Sequence, residues 1–130
     1  TIIKKNKINK FKQMNIEDNH FKLVKKALYK AVNEQKGTAF KSRSDLYNFS
    51  GKTGTSQVKK ITIEERESDD FRKKLLLWKN RDHALFVGYM PTKKPKYAIS
   101  VVIEHGGSGA SIAAPITKSI FDYLHKLNIA

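Results

Sequence analysis

Phe49-Ser50-Gly51-Lys52-Thr53-Gly54-Thr55-Ser56-Gln57-Val58 is the stretch on which the reading of this chain turns. Together with Ile61, Thr62 and Ile63 it predicts one long strand, Phe49 to Ile63, glycine-rich in its first half and β-branched in its second. Gly51-Lys52-Thr53 also invites a phosphate-loop reading. That motif requires a glycine where this chain has Leu46, and a helix directly after the threonine. Neither condition is met. What remains is a strand carrying a Lys-Thr-Gly triad, either a functional edge or an ordinary glycine-containing strand with one exposed lysine.

Upstream, Phe21, Val24, Leu28, Ala31 and Val32 recur at spacings of three and four between Lys22, Lys25, Lys26 and Lys30. That period predicts an amphipathic helix from about Glu17 to Lys36, capped by Asp18 or Asn19 and stopped by Gly37. Before it, residues 1–13 alternate lysine with isoleucine and phenylalanine and read as an edge strand or a frayed arm. Downstream, Glu64 to Asn80 runs from acidic to basic, with room for a short helix around Asp70 to Trp78. Ala84 to Tyr89 and Tyr97 to Glu104 read as strands, joined by a turn holding Pro91 and Pro95, so the pair is expected to be antiparallel. A turn built on Gly106, Gly107 and Gly109 leads to a last helix with Ser111 as cap and Pro115 in its first turn. Ile112, Ile116, Ile120, Leu124 and Leu127 are its expected buried face. The fold class is α+β: an antiparallel sheet of about three strands flanked by N- and C-terminal helices.

At 130 residues the chain is one domain or a piece of one. Its start at Thr1 is compatible with a cut from a longer protein, and the first dozen residues resemble neither a signal nor a transit peptide. No apolar run approaches the roughly 18 residues of a membrane span, so the chain is expected to be soluble. Cysteine is absent, which excludes disulfides and a thiol nucleophile. The net charge of +14 raises nucleic acid as a partner. Against it, the excess is mostly lysine, the arginines being Arg43, Arg66, Arg72 and Arg81, whereas reading bases and gripping phosphates in pairs favours arginine. A small basic nucleic-acid-binding module stands as the alternative. His20, His83, His105 and His125 show no ligand spacing, so no metal is expected, and no cofactor.

Gly37-Thr38-Ala39, the Lys52-Thr53-Gly54-Thr55 strand, Arg81-Asp82-His83-Ala84-Leu85-Phe86-Val87-Gly88-Tyr89-Met90-Pro91, and Gly106-Gly107-Ser108-Gly109 leading to Ala113-Ala114-Pro115 follow one another in a set order. This set resembles the C-terminal part of the transpeptidase domain of a class B penicillin-binding protein. Asp82-His83-Ala84-Leu85-Phe86 and the glycine-rich turn resemble the elongation type, penicillin-binding protein 2, more than the division type, and by the same resemblance speak against a β-lactamase or carboxypeptidase relative. Met90 departs from the alanine usual before that proline. The resemblance implies a partial penicillin-binding-protein/β-lactamase-like fold. It also implies a parent DD-transpeptidase that cross-links peptidoglycan stem peptides during cell-wall elongation. Such a parent acylates a serine with a stem ending in D-Ala-D-Ala, releases the last D-Ala and passes the acyl group to an amine. β-Lactams would trap that serine. The parent would be anchored in the bacterial inner membrane, with its catalytic domain in the periplasm and a glycan polymerase as partner.

Under this resemblance Lys52 places a cation in the cleft, where it can hold a carboxylate and favour deprotonation of a serine. Gly54 lets the acyl group approach the backbone, and the Thr55 N–H supplies an oxyanion donor. The hydroxyls of Thr53 and Thr55 can bond the substrate carboxylate. Lys52 and Thr55 are thus the expected catalytic residues, and Thr53, Gly54 and Thr55 the expected substrate-binding ones. The family's Ser-x-x-Lys is expected upstream of residue 1: Ser56-Gln57-Val58-Lys59 matches its letters but falls on a predicted strand, where positions three apart point to opposite faces. The chain is therefore read as residues 1–130 of a C-terminal portion without its nucleophile, inactive alone.

Overall fold

The computed structural model describes residues 14–58, 62, 67 and 77–127. The predicted arm over residues 1–13 lies outside them, as does most of the predicted helix around Asp70 to Trp78. Helix α1 spans Asp18–Asn33, strands β1, β2 and β3 span Ser50–Ser56, His83–Met90 and Tyr97–Ile103, and helix α2 spans Ala114–Lys126. The three strands form one antiparallel sheet in the order β1-β2-β3. Lys52 lies opposite Val87, Thr53 opposite Phe86 and Gly54 opposite Leu85.

Because opposed residues share a face, the register sorts the side chains. Ala84, Phe86, Met90 and Val101 fall on one face and are buried. Val87 and Val102, on the other, are more than half exposed. The core is an aromatic cluster at the start of β1. The Phe49 ring meets Phe121 of α2 edge-on at 5.3 Å and Phe86 at 6.3 Å, and Val32 of α1 and Ala39 close the cluster. Burying a phenylalanine contributes up to about 3 kcal/mol, so these three rings are a large share of what holds both helices to the sheet.

Several boundaries differ from the sequence reading, each for a local reason. Helix α1 ends at Asn33, before Gly37, and Gly37 is not in the left-handed region. A Cβ at Gly37 would collide with the carbonyls of Lys30 and Ala31, so this glycine serves close approach of the chain to the helix end. Strand β1 stops at Ser56, and Val58 and Thr62 lie outside it, so the β-branched second half does not continue the ladder among the described residues. Ser111 is not a cap: Gly109–Ala113 form a π-helical turn that runs directly into α2, with Pro115 in its first turn as expected.

The expected buried face of α2 is also corrected. Ala113, Ala114, Thr117 and Phe121 are the buried residues, with Leu124 packed partly beside them. Ile112, Ile116, Ile120 and Leu127 are each 38–47 % exposed. The small residues let the helix approach the sheet closely, and the Thr117 hydroxyl is satisfied by the Ala113 carbonyl at 3.0 Å. In α1 only Val32 is buried, while Phe21 and Val24 of the predicted apolar face are about half exposed.

Candidate functional site

Lys52, Thr53, Gly54 and Thr55 all lie on β1, an edge strand among the described residues. Three backbone partners fix which way that strand faces. The Asn48 carbonyl accepts from the Thr92 N–H, on the β2 side. The Phe49 carbonyl accepts from the Asn33 amide, on the α1 side. The Thr53 carbonyl accepts from the Lys52 ammonium at 2.8 Å. In an antiparallel ladder the N–H and C=O of a residue point the same way and alternate along the strand. Residues 49, 51, 53 and 55 therefore turn their backbone groups away from β2. The Thr55 N–H faces the open edge to which Lys52 brings its ammonium.

The Lys52 side chain is exposed and curls along that edge, its Nζ also 3.1 Å from Thr53 Oγ1. The Thr53 hydroxyl donates in turn to Thr38 Oγ1 at 3.0 Å. Thr38 sits on the turn after α1, and with Lys52 it lines a cavity of about 350 Å³ walled by Ala27, Leu28 and Ala31 of the helix. Lys36 also lines this cavity, along with Lys30 and Glu34, which pair with each other at 3.2 Å. The Gly37-Thr38-Ala39 motif thus abuts the Lys-Thr-Gly strand, a contact the sequence reading did not foresee.

Three further contacts hold β1 in place. Asn33 Nδ2 donates to both the Tyr29 and Phe49 carbonyls at 2.9 Å, stitching α1 to the strand. The Ser50 hydroxyl, fully buried, meets Thr92 Oγ1 at 2.9 Å. Gly109 lies flat on the strand pair: a Cβ there would strike the carbonyls of Gly54 and Leu85. Gly54 itself is under no such constraint, since a Cβ would meet only the Leu85 side chain, at 3.3 Å.

The Arg81-Asp82-His83 segment closes the far end. The Asp82 carboxylate accepts from the Val58 N–H at 3.4 Å, and its carbonyl accepts from Gly107 at 2.7 Å. His83 and His105, far apart in sequence, have ring centroids 4.8 Å apart, and His83 Nδ1 accepts from the His105 N–H at 2.9 Å. His105 sits at φ 54°, a left-handed conformation held by these contacts and by the exposed Trp78, whose ring lies tilted against it at 4.5 Å. Among the described residues no group of three or more His, Cys, Asp or Glu side chains is placed to hold a metal. Ser56 ends β1 rather than opening a helix, and Lys59 lies outside the described residues.

Lys52 and the Thr55 N–H thus share the open edge of β1, with Gly37-Thr38-Ala39 beside Lys52 and Gly109 packed against Gly54. The family model for the penicillin binding protein transpeptidase domain matches residues 1–122. This chain belongs to that family. It is 36 % identical over 103 residues to the peptidoglycan D,D-transpeptidase MrdA of Salmonella typhimurium, covering 78 % of this chain and 16 % of the relative. It is 44 % identical over 89 residues to MrdA of Acinetobacter baumannii, covering 68 % and 12 %. Among solved structures it is similar to the penicillin-binding protein PBP2 of Helicobacter pylori in its complex with MreC. There the TM-score is 0.69, with 26 % identity over 86 % of this chain and 18 % of that one. The α+β fold with a three-stranded antiparallel sheet is that of these PBP2 neighbours. The chain thus spans less than a fifth of the length of the curated relatives it matches.

Proposed function

We propose that this chain is the Lys-Thr-Gly wall of a peptidoglycan D,D-transpeptidase of the PBP2 type, whose serine comes from another part of the same protein. In this reading the serine oxygen attacks the carbonyl of the penultimate D-Ala of a stem peptide. The carbonyl oxygen takes up negative charge, the last D-Ala leaves with a proton on its nitrogen, and an amine from a second stem later displaces the serine. Lys52 supplies the cation that holds the terminal carboxylate and favours the serine alkoxide, and Thr55 the N–H that meets the oxyanion. Gly54 admits the acyl group. The packing constrains Gly54 less than Gly109, which supports a role in access. The hydroxyls of Thr53 and Thr55 line the carboxylate end. β-Lactams would enter as stem mimics. The parent would be tethered to the inner membrane and face the periplasm, working beside a glycan polymerase. The complex of Helicobacter pylori PBP2 with MreC supports a parent that works in an assembly.

The observation that carries this reading is the shared orientation of Lys52 Nζ and the Thr55 N–H on one open strand edge. It is tested in the full-length protein by the rate of acylation with a fluorescent penicillin. Thr55→Pro removes the N–H without breaking the ladder, because that group points away from β2. It is expected to slow acylation about a hundredfold or more. Thr55→Val keeps the N–H and isolates the hydroxyl, with a smaller loss. Lys52→Ala is expected to abolish labelling. Wild-type labelling rates in Thr55→Pro and Lys52→Ala would defeat the proposal. The chain alone is expected to take no label.

A further inference from the structure

The bonds around Lys52 have a direction. An ammonium only donates, so both its contacts to Thr53, at 2.8 and 3.1 Å, spend lone pairs of the threonine. The Thr53 hydroxyl has one proton, and the geometry gives it to Thr38 Oγ1 at 3.0 Å. Lys52 donating to Thr53 and Thr53 donating to Thr38 thus form one polarised run, each bond strengthening the next. Its far end is anchored. Ala39 is buried and its N–H bonds the Ala31 carbonyl at 2.9 Å, while the Gly37 N–H bonds Glu34 at 2.7 Å. Thr38 therefore stands on a turn fixed to the last turn of α1, and the hydroxyl to which the run leads is held still.

We propose that Thr38 is a positioning residue: its hydroxyl fixes Thr53, and through it the place of the Lys52 ammonium on the open edge of β1. Without the Thr38 acceptor, the Thr53 hydroxyl is released to rotate and the long lysine side chain samples the cavity shared with Lys36 and Glu34. The consequence for catalysis rests on the transpeptidase reading above. A displacement of about 1 Å at a reacting group can cost on the order of a hundredfold, and a partial loss of placement correspondingly less.

The test uses the full-length protein with Thr38→Val, which keeps the shape but not the acceptor, and Thr38→Ser, which restores it. Two readouts are taken. The first is the second-order rate of acylation by a fluorescent penicillin as a function of pH. The second, independent of activity, is the reactivity of Lys52 Nζ in trace acetylation, quantified by mass spectrometry. Thr38→Val is expected to slow acylation roughly tenfold and to move the limb reporting serine deprotonation to higher pH. It should also make Lys52 several times more reactive, on the order of its exposed neighbours, as a held ammonium is released. Thr38→Ser is expected to return both readouts most of the way. Unchanged Lys52 reactivity in Thr38→Val overturns the proposal, as does unchanged acylation or a loss that serine does not rescue. A wild-type protein that takes no penicillin sinks the transpeptidase reading instead, and the acetylation result then decides the Thr38–Lys52 coupling alone.

Discussion

Lys52 and Gly109 show how differently two neighbours of one strand are constrained. Lys52 is exposed and its ammonium, among the described residues, bonds its own neighbour Thr53, so its replacement should cost function and little stability. Gly109 is buried, and any side chain there meets the carbonyls of Gly54 and Leu85. Gly109→Ala is therefore expected to destabilise the protein by about 2 kcal/mol, read from the urea midpoint, and to push β1 at Gly54. An unchanged midpoint would show that the turn can lift away. Asn33 is a third kind of residue. It was invisible as a functional position in the sequence, where it is one more polar residue near a helix end. Its amide bridges Tyr29 and Phe49, and Asn33→Ala is expected to cost about 1 kcal/mol or more, since two carbonyls lose a donor.

Helix α2 is fixed to the segment before β1 by a small polar cluster. The Tyr47 hydroxyl donates to Asp122 Oδ1 at 2.8 Å, and Lys118 Nζ lies 2.6 Å from Asp122 Oδ2. Burial of the Asp122 carboxyl works to raise its pKa. The hydrogen bonds from Lys118 and Tyr47, with the charges of Lys118 and Lys126, outweigh that and hold it below the ordinary 3.8. Burial first, and then the Asp122 carboxylate, push the Tyr47 phenol well above its usual value, so it remains a donor. A carboxyl whose folded pKa is depressed stabilises the fold above its unfolded value, and the contribution is lost as pH falls through the folded one. The protein's denaturation midpoint should therefore drop on acidification below about pH 4, and Asp122→Asn should flatten that drop while lowering the midpoint at neutral pH. Equal acid slopes in the two proteins would remove Asp122 from the account.

Across the molecule, apolar surface lies outside the core. Ile116 and Ile120 on α2 are 39 % and 40 % exposed, and Val87 and Val102 lie on the open sheet face. The net charge of +14 opposes association of two copies at low salt. Added salt screens that repulsion within about 10 Å at 0.1 M, so the chain alone is expected to gain mass by light scattering as ionic strength rises. Ile116→Glu with Ile120→Glu should reduce the gain. A monomer at all salt concentrations would count against any adhesive role for this surface.

Periodicity and turn residues sufficed for the order helix, strand, strand, strand, helix, for the antiparallel pairing of β2 with β3, and for the Lys-Thr-Gly strand itself. Those signals are local: a 3.6-residue repeat, two prolines in a short link, β-branched runs. Which stripe of each helix is buried was not local. Ile112, Ile116 and Ile120 look like a core face, yet Ala113, Ala114, Thr117 and Phe121 face the sheet, because close approach selects small residues around one large ring. The partners of Lys52 were equally hidden. Thr38 and Thr53 meet only after α1 has been laid along β1, and the sense of the Thr55 N–H depends on which edge of the strand β2 occupies. A sequence carries propensity and spacing along the chain. Contacts between residues remote in sequence, and the direction in which a backbone donor points, come into existence only when the elements have packed.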